Sequence, residues 1–255
     1  MIEVRDIIKR FGDQEVLKGI SAQFHPGECS LIIGSSGAGK TVFLKCMVGL
    51  LDPEEGDVLY DDRALNRMDR RERKELRTEM GMLFQGNALF DSMTVEENVR
   101  FPLDMFTDMT AAEKQERVDS CLDRVNLVDA HHKYPGEISG GMMKRVGIAR
   151  AIVMNPRYLF CDEPNSGLDP KTALVIDELI QELTVEFEMT TVINTHDMNS
   201  VMGIGDKVIF LHQGHKHWEG SKDSVMTADN QELDDFIFAS EFLKDLRDKA
   251  LGTRS

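Results

Sequence analysis

No C-x-x-C pair occurs among the four cysteines of this 255-residue chain; Cys29, Cys46, Cys121 and Cys161 lie scattered in apolar stretches. That pattern argues against a disulfide scaffold and reads the four as reduced thiols used as small core residues, which suits the cytosol. Long apolar runs are missing too. Nothing approaches the roughly 18 consecutive apolar residues that a membrane span requires. The start, MIEVRDIIKRFGD, alternates apolar with charged residues where a signal peptide or anchor would be continuously apolar. Positive charge is scarce, with 30 Lys and Arg against 45 Asp and Glu and a formal net charge of -15. A phosphate backbone selects basic faces, so nucleic acid is not an expected partner. Internal repeats and low-complexity tracts are absent. The chain reads as soluble, and any work at a membrane must pass through a partner.

What is present reads as one large α/β domain with a lobe, since a chain of this length buries roughly 70 to 75% of its unfolded surface. Ile2 to about Tyr60 is strand-like, with turns at Gly12, Pro26–Gly27 and Pro53–Gly56 and one helix after a glycine-rich loop. The middle is helical. Thr110 to Val128 places Val118, Cys121, Leu122 and Val125 on one face, and Thr110 with Glu113 forms a capping box. Strands return at Tyr158 to Cys161 and Thr190 to Ile193, and Val208 to Trp218 reads as a hairpin turning at Gln213–Gly214. The mixed-sign run Asp69 to Arg77 reads as a solvated helix without a designed ladder of ion pairs.

The run GSSGAGKT comprises Gly34, Ser35, Ser36, Gly37, Ala38, Gly39, Lys40 and Thr41, between an apolar strand, Cys29 to Ile33, and a helix that starts at Thr41. Strand, loop and helix in that order are the context a G-x-x-x-x-G-K-T match needs to be a P-loop. The glycines let backbone N–H groups converge on phosphate oxygens, the helix terminus adds partial positive charge, and Lys40 reaches the outer phosphates. Thr41 is a ligand for Mg2+. A second carboxylate source follows at RYLFCDEP, an apolar strand ending in Asp162 and Glu163. Asp162 is placed to hold Mg2+ through water and Glu163 to polarise the water that attacks the γ-phosphate of ATP.

Ser139, Gly140 and Gly141 precede another helix, with apolar Met143, Val146 and Ile152, and their amides form a second phosphate-ready terminus. One chain does not need two such termini on one ATP. The economical resolution is that Ser139 to Gly141 close over the ATP held by another subunit's Lys40, so that two chains sandwich two nucleotides.

With these motifs in this order, residues 2 to about 220 resemble the ATP-binding subunit of an ATP-binding-cassette (ABC) transporter. The resemblance implies a P-loop NTPase core: a mixed sheet with flanking helices, an N-terminal antiparallel β-subdomain, and an inserted helical subdomain. It implies a cassette over residues 1–230, the helical part at about 86–155, and a helical tail at 231–255. By the same resemblance Phe11 stacks on adenine with Val16 beside it, and Gln85 touches Mg2+ and the transport subunit. SGLD, Ser166 to Asp169, crosses the dimer seam, and His196 contacts the γ-phosphate with Lys40 and Glu163 completing the catalytic set. Two positions depart from the pattern: Met142 stands where glutamine is common, and Asn165 sits between Pro164 and Ser166.

The stretch Gly81 to Leu103 (GMLFQGNALFDSMTVEENVRFPL), with Met142, is similar to the ATPases of Mce-type lipid transporters, including the Mla phospholipid system. That implies a homodimer formed with ATP on the cytoplasmic side of the inner membrane. Its partners are then a transmembrane permease and a periplasmic Mce-type lipid-binding protein. Met82, Leu83, Phe84, Leu89 and Phe90 are the expected wall of an apolar groove for the permease. In the amphipathic tail, Phe236, Ile237, Phe238, Phe242 and Leu243 are expected to fold onto their own domain, with contact to a second subunit or an accessory protein as the alternative.

Overall fold

The strand segments Cys29–Ile33, Tyr158–Asp162 and Thr190–Asn194 are buried at every residue, because helices cover one face of their sheet and a helix with a second sheet covers the other. A computed structural model describes residues 1–238. The tail residues Phe242 and Leu243 lie outside the described residues.

The first sheet is antiparallel, in the order β2-β1-β4-β5, from β1 (Ile2–Phe11), β2 (Gln14–Phe24), β4 (Glu55–Tyr60) and the two-residue β5 (Arg63–Ala64). Gly56, expected in a turn, lies inside β4. A Cβ there would stand 2.4 Å from the Arg5 carbonyl oxygen, so glycine is what lets β4 close on β1. The second sheet holds β3 (Cys29–Ile33), β6 (Met80–Leu83), β7 (Tyr158–Asp162), β8 (Thr190–Asn194), β9 (Lys207–His212) and β10 (His215–Gly220) in the order β10-β9-β3-β8-β7-β6. Its pairings are parallel except that β10 folds back on β9 as the expected hairpin.

Period-two alternation divides β3 between two cores. Leu31 and Ile33 join the helices on one face, whereas Ile32 packs with α1 (Lys40–Met47) and the antiparallel sheet on the other. All four cysteines are free and buried among these side chains. Burial pushes the Cys29 thiol up to about 12 and Cys46 up to about 11, so neither is a nucleophile at neutral pH.

Between β6 and β7 the chain makes the helical insertion: α3 (Val95–Phe106), α4 (Ala111–Arg124) and α5 (Gly140–Ile152). The Thr110–Glu113 capping box is present, and Val118, Cys121, Leu122 and Val125 are all buried, but α4 stops short of Val128. Asn126 turns left-handed at φ +55°, which a continuing helix cannot do. The charged run forms α2 (Arg70–Thr78), capped by Asp69 with Glu72. It carries an i,i+4 ion pair the expectation passed over, Arg71 with Glu75 at 2.9 Å, and Arg73 pairs with Asp52 at 3.2 Å. The remaining helices are α6 (Pro170–Glu186), α7 (Met198–Ile204), α8 (Lys222–Val225) and α9 (Gln231–Ile237). Leu233 and Ile237 of α9, and Phe238 beyond it, are buried, so this part of the tail packs on its own domain as expected. Among the described residues no helix is long and apolar enough to cross a membrane.

Candidate nucleotide site

In-register pairing brings three strand ends to one edge of the parallel sheet. Asn194 of β8 pairs with Ile32 of β3 on one side and with Asp162 of β7 on the other. The chain therefore leaves the sheet at neighbouring points: from β3 into the Gly34–Gly39 loop, from β7 into Glu163, from β8 toward His196. Carboxyl ends of parallel strands are where such sheets place ligands. Here they border a cavity of about 660 Å³ walled by residues 34–42 together with Val16, Gln85, Glu163 and His196.

Two glycines hold the loop's path. At Gly34 (φ +149°) a Cβ would lie 2.2 Å from the Leu211 carbonyl oxygen, and at Gly39 (φ +102°) 2.9 Å from a Leu17 methyl. No L side chain fits either point. The Gly39 carbonyl accepts the Phe43 N–H at 2.8 Å, which starts α1 at Lys40, one residue earlier than expected. The first amides of α1 then face the loop with no i−4 partner. Lys40 folds over the loop and donates to the carbonyls of Gly34 (2.7 Å) and Ser35 (3.2 Å). Half-burial lowers its pKa, against the pull of the Glu163 and Asp162 carboxylates.

Asp162 is the buried last residue of β7. Its Oδ1 accepts from the Thr41 hydroxyl at 3.2 Å and from the Asn194 amide at 3.1 Å. The Asn194 Oδ1 is itself buried without a hydrogen-bond partner. Glu163 follows with a left-handed backbone, φ +51°, a conformation costing roughly 1 kcal/mol or more for a residue with a Cβ. Its N–H donates to the Asn194 carbonyl at 2.9 Å, and the turn aims its carboxylate at His196, whose Nδ1 lies 2.8 Å from Oε2. The His196 ring is largely exposed to the cavity and Glu163 is not.

The residues fit a nucleoside triphosphate with Mg2+. The glycine cradle admits backbone where a Cβ would not fit, orphan helix amides face it, and a Thr hydroxyl and a carboxylate offer the oxygen donors that Mg2+ prefers. Among the described residues no group of three or more His, Cys, Asp or Glu side chains is arranged as a metal cage. Mg2+ bound through one or two protein oxygens and the substrate's phosphates needs none.

Other expected site residues fall elsewhere. Phe11 is exposed at the end of β1 under the Lys9 ammonium and outside the cavity wall, whereas Val16 is part of it. Met198 and Phe236 line the cavity unannounced; Phe236 arrives through α9 and packs on Phe210, with ring centroids 5.5 Å apart. Ser139 caps α5, its hydroxyl accepting the Met142 N–H at 3.3 Å, while Gly140 and Gly141 are the first residues of the helix rather than its prelude. This terminus does not line the cavity. It packs on α6, where a Cβ on Gly141 would meet the Thr172 methyl at 2.8 Å. Asp169, last of the SGLD run, caps α6 through the N–H groups of Lys171 and Thr172.

Gln85 is tied to α5 by its main chain. Its carbonyl accepts from Lys144 at 2.8 Å, and Arg150 donates to the carbonyls of Asn87 (2.6 Å) and Ala88 (2.7 Å). Lys144 is buried, and desolvation lowers its pKa although Cys161 and Glu163 pull it upward. Beside this loop opens an apolar groove of about 430 Å³ walled by Met82, Phe84, Phe90, Phe101 and Phe106. Of the five residues expected there, Met82, Phe84 and Phe90 line it. Leu83 points into the core, because successive strand residues face opposite ways, and Leu89, beyond the strand, packs against that core.

A sequence profile of the ABC transporter family matches residues 17–166. Over 236 residues the chain is 38% identical to the probable ribonucleotide transport ATP-binding protein mkl of Mycobacterium leprae, covering 92% of this chain and 68% of that protein. It is 35% identical over 259 residues to the methionine import ATP-binding protein MetN of Campylobacter jejuni, covering 95% and 77%. Among solved structures it is similar to an ATP-binding cassette captured as a dimer in a post-hydrolysis state with ADP and Pi (TM-score 0.79, 32% identity, 87% of this chain and 99% of that one). It is also similar to cbiO1 of Clostridium perfringens, part of the ABC transporter complex cbiONQ (TM-score 0.83, 28% identity, 98% of each).

Proposed function

The chain belongs to the ABC transporter family as an ATP-binding subunit, a dimer-forming Mg-ATP hydrolase, and we propose that it drives a permease that moves phospholipid between the inner and outer membranes. The observation that carries the transport reading is the apolar groove beside Gln85. Phe84 lines this groove and the next residue, Gln85, lines the nucleotide cavity, so one short segment borders both the ATP site and the surface a membrane partner would occupy.

On this reading, Lys40 and the amides of the 34–39 loop hold the phosphates, with Thr41, Asp162 and Gln85 around Mg2+. Mg2+ supplies charge neutralisation across the outer phosphates. Glu163 accepts the proton of the attacking water, and His196, 2.8 Å from it, fixes its direction and meets the γ-phosphate. Phe11 and Val16 border the base. Ser139, Gly140 and Gly141 address the second chain's nucleotide, which accounts for a capped helix terminus facing away from the chain's own cavity. Preorganised charge from Lys40, Mg2+ and that terminus supplies most of the rate enhancement. The cassette spans residues 1–230, its helical part about 86–155, and the assembly sits on the cytoplasmic side of the inner membrane with an Mce-type lipid-binding protein beyond it.

Lipid as cargo rests on the Gly81–Leu103 stretch and Met142. Import of a small solute is the second reading, favoured by what the mycobacterial and Campylobacter relatives are named for. Purification from solubilised membranes separates the two. A co-purifying permease with an Mce-type protein, and ATPase stimulated by phospholipid, supports lipid; a solute-binding protein in its place sinks that cargo, and the absence of any permease sinks transport.

A further inference from the structure

The departure at Asn165 is where two arms of the site are fastened together. Asn165 is two residues beyond Glu163, and its Nδ2 makes two hydrogen bonds: to Asp177 Oδ1 of α6 at 2.8 Å and to Ser200 Oγ of α7 at 3.0 Å. Ser200 also bonds the Asp177 carboxylate. Asp177 and Ser200 are both buried, 3% and 0% exposed. A charge-bearing polar cluster in such a place is costly unless its members satisfy one another; the Asn165 Nδ2, Ser200 and Asp177 do so, which holds their geometry, while the Asn165 Oδ1 is buried without a hydrogen-bond partner. Desolvation raises the Asp177 pKa, with the Ser200 and Asn165 hydrogen bonds opposing and the Asp197 and Glu178 charges adding to the rise.

The consequence lies in what each partner carries. α7 begins two residues after His196, capped by Asp197, whose carboxylate accepts the Asn199 N–H at 2.8 Å. Ser200 therefore fixes the helix that follows His196, and Asn165 fixes the turn that follows Glu163. Two short loops leaving adjacent strands would otherwise move independently, yet the Glu163–His196 contact of 2.8 Å requires both to hold position. We propose that Asn165 is a positioning residue that yokes these loops through Asp177 and Ser200, holding His196 against Glu163 for hydrolysis. The inference rests on the roles given above to Glu163 and His196.

The test is steady-state ATPase, nucleotide affinity and thermal midpoint of the full chain carrying Asn165→Leu, which keeps the branched outline in a somewhat larger side chain and removes both hydrogen bonds. The expected result is kcat lower by about tenfold or more with KM and nucleotide Kd within about twofold of the parent, the mark of an interaction used in the chemical step. Ser200→Ala, a smaller change at the other end of the yoke, lowers kcat in the same direction, and the double variant is no slower than Asn165→Leu alone. A parental kcat in either folded variant, a loss confined to KM and Kd, or additive losses in the double variant overturn the proposal. If Asn165→Leu fails to fold, Ser200→Ala decides alone. Glu163→Gln separates this from the functional reading. Normal hydrolysis in that variant sinks the roles themselves, whereas an inactive Glu163→Gln beside a fully active Asn165→Leu sinks only the yoke.

Discussion

His196 Nδ1 stands 2.8 Å from Glu163 Oε2, although 33 residues separate the two (196 minus 163) and each lies past the end of its own strand. The pair exists because Glu163 adopts a left-handed backbone that swings its carboxylate off the line of β7. Glu163→Gln keeps that geometry and removes the proton acceptor. It is expected to bind ATP normally, to lower turnover by at least about a hundredfold, and to accumulate as an ATP-dependent dimer. Phosphate release together with size-exclusion chromatography in ATP checks both halves, and undiminished turnover removes Glu163 from its role.

A site shared between two chains makes a prediction that a self-contained site does not. Lys40→Ala is expected to abolish tight nucleotide binding and Ser139→Arg to block the terminus proposed to address the other chain, so each variant alone is expected to be inactive. Mixed pairs regain one complete site, built from the Lys40 of one chain and the Ser139 of the other. In a one-to-one mixture half of the randomly formed pairs are mixed and each restores one site in two, so ATPase activity is expected at roughly a quarter of the parent's. No recovery on mixing, with both variants folded, refutes the sandwich.

Gly34→Ala places a methyl 2.2 Å from the Leu211 carbonyl oxygen in a backbone conformation that disfavours any side chain. Overpacking of this kind costs about 1–3 kcal/mol. The denaturant midpoint should fall correspondingly, and nucleotide affinity with it, since the loop must shift away from β9.

Phe101→Asp puts a charge in the groove without touching the cavity. Co-purification of a membrane partner with the variant is expected to fall by about tenfold or more, the scale of losing a central apolar anchor. Undiminished co-purification would move the docking surface elsewhere.

Asp61 accepts hydrogen bonds from the N-terminal amine of Met1 at 2.7 Å, from Arg157 at 2.7 Å and from Tyr158 at 2.9 Å. Burial alone would raise its pKa, but these bonds and the two positive charges win and hold it at about 2, below the usual 3.8. A carboxylate depressed in the folded state stabilises the fold above its unfolded pKa and loses that contribution as pH falls through the folded one. Asp61→Asn should therefore be less stable than the parent at neutral pH, and the difference should shrink between about pH 4 and pH 2. Denaturant unfolding across that window reads it out; a difference that stays constant would exclude the charged form as its source.

The parts legible in the sequence are those where one local pattern carries its own reason. Gly34 to Thr41 announces its loop because strand, glycines and helix are contiguous, and the Thr110–Glu113 box announces the start of α4. The Phe236 contact with the cavity was invisible, because α9 reaches it only through the tertiary packing of Phe210. So was the Asn165–Asp177–Ser200 cluster, in which residues 12 and 35 positions from Asn165 meet by the stacking of α6 and α7. Composition suggested an apolar groove around residues 82–90 but could not divide it: Met82 and Leu83 are both apolar, and only strand register sends one to the groove and the other to the core. Left-handed Glu163 carried no signal either, since turns of that hand usually advertise themselves with glycine or asparagine.

Lys144 and Arg150 grip the segment after β6 by the carbonyls of Gln85, Asn87 and Ala88 and not by its side chains. Main-chain oxygens are present whatever amino acid is encoded. Side chains beyond Gln85 can therefore be exchanged without unfastening the segment from α5, within the limits set by the left-handed backbone at Asn87 and Ala88 and by the packing of Leu89 on the core. Natural selection, or a protein engineer, could refit one hydrolytic motor to a different membrane machine by rewriting a handful of codons there, leaving the combustion chamber untouched.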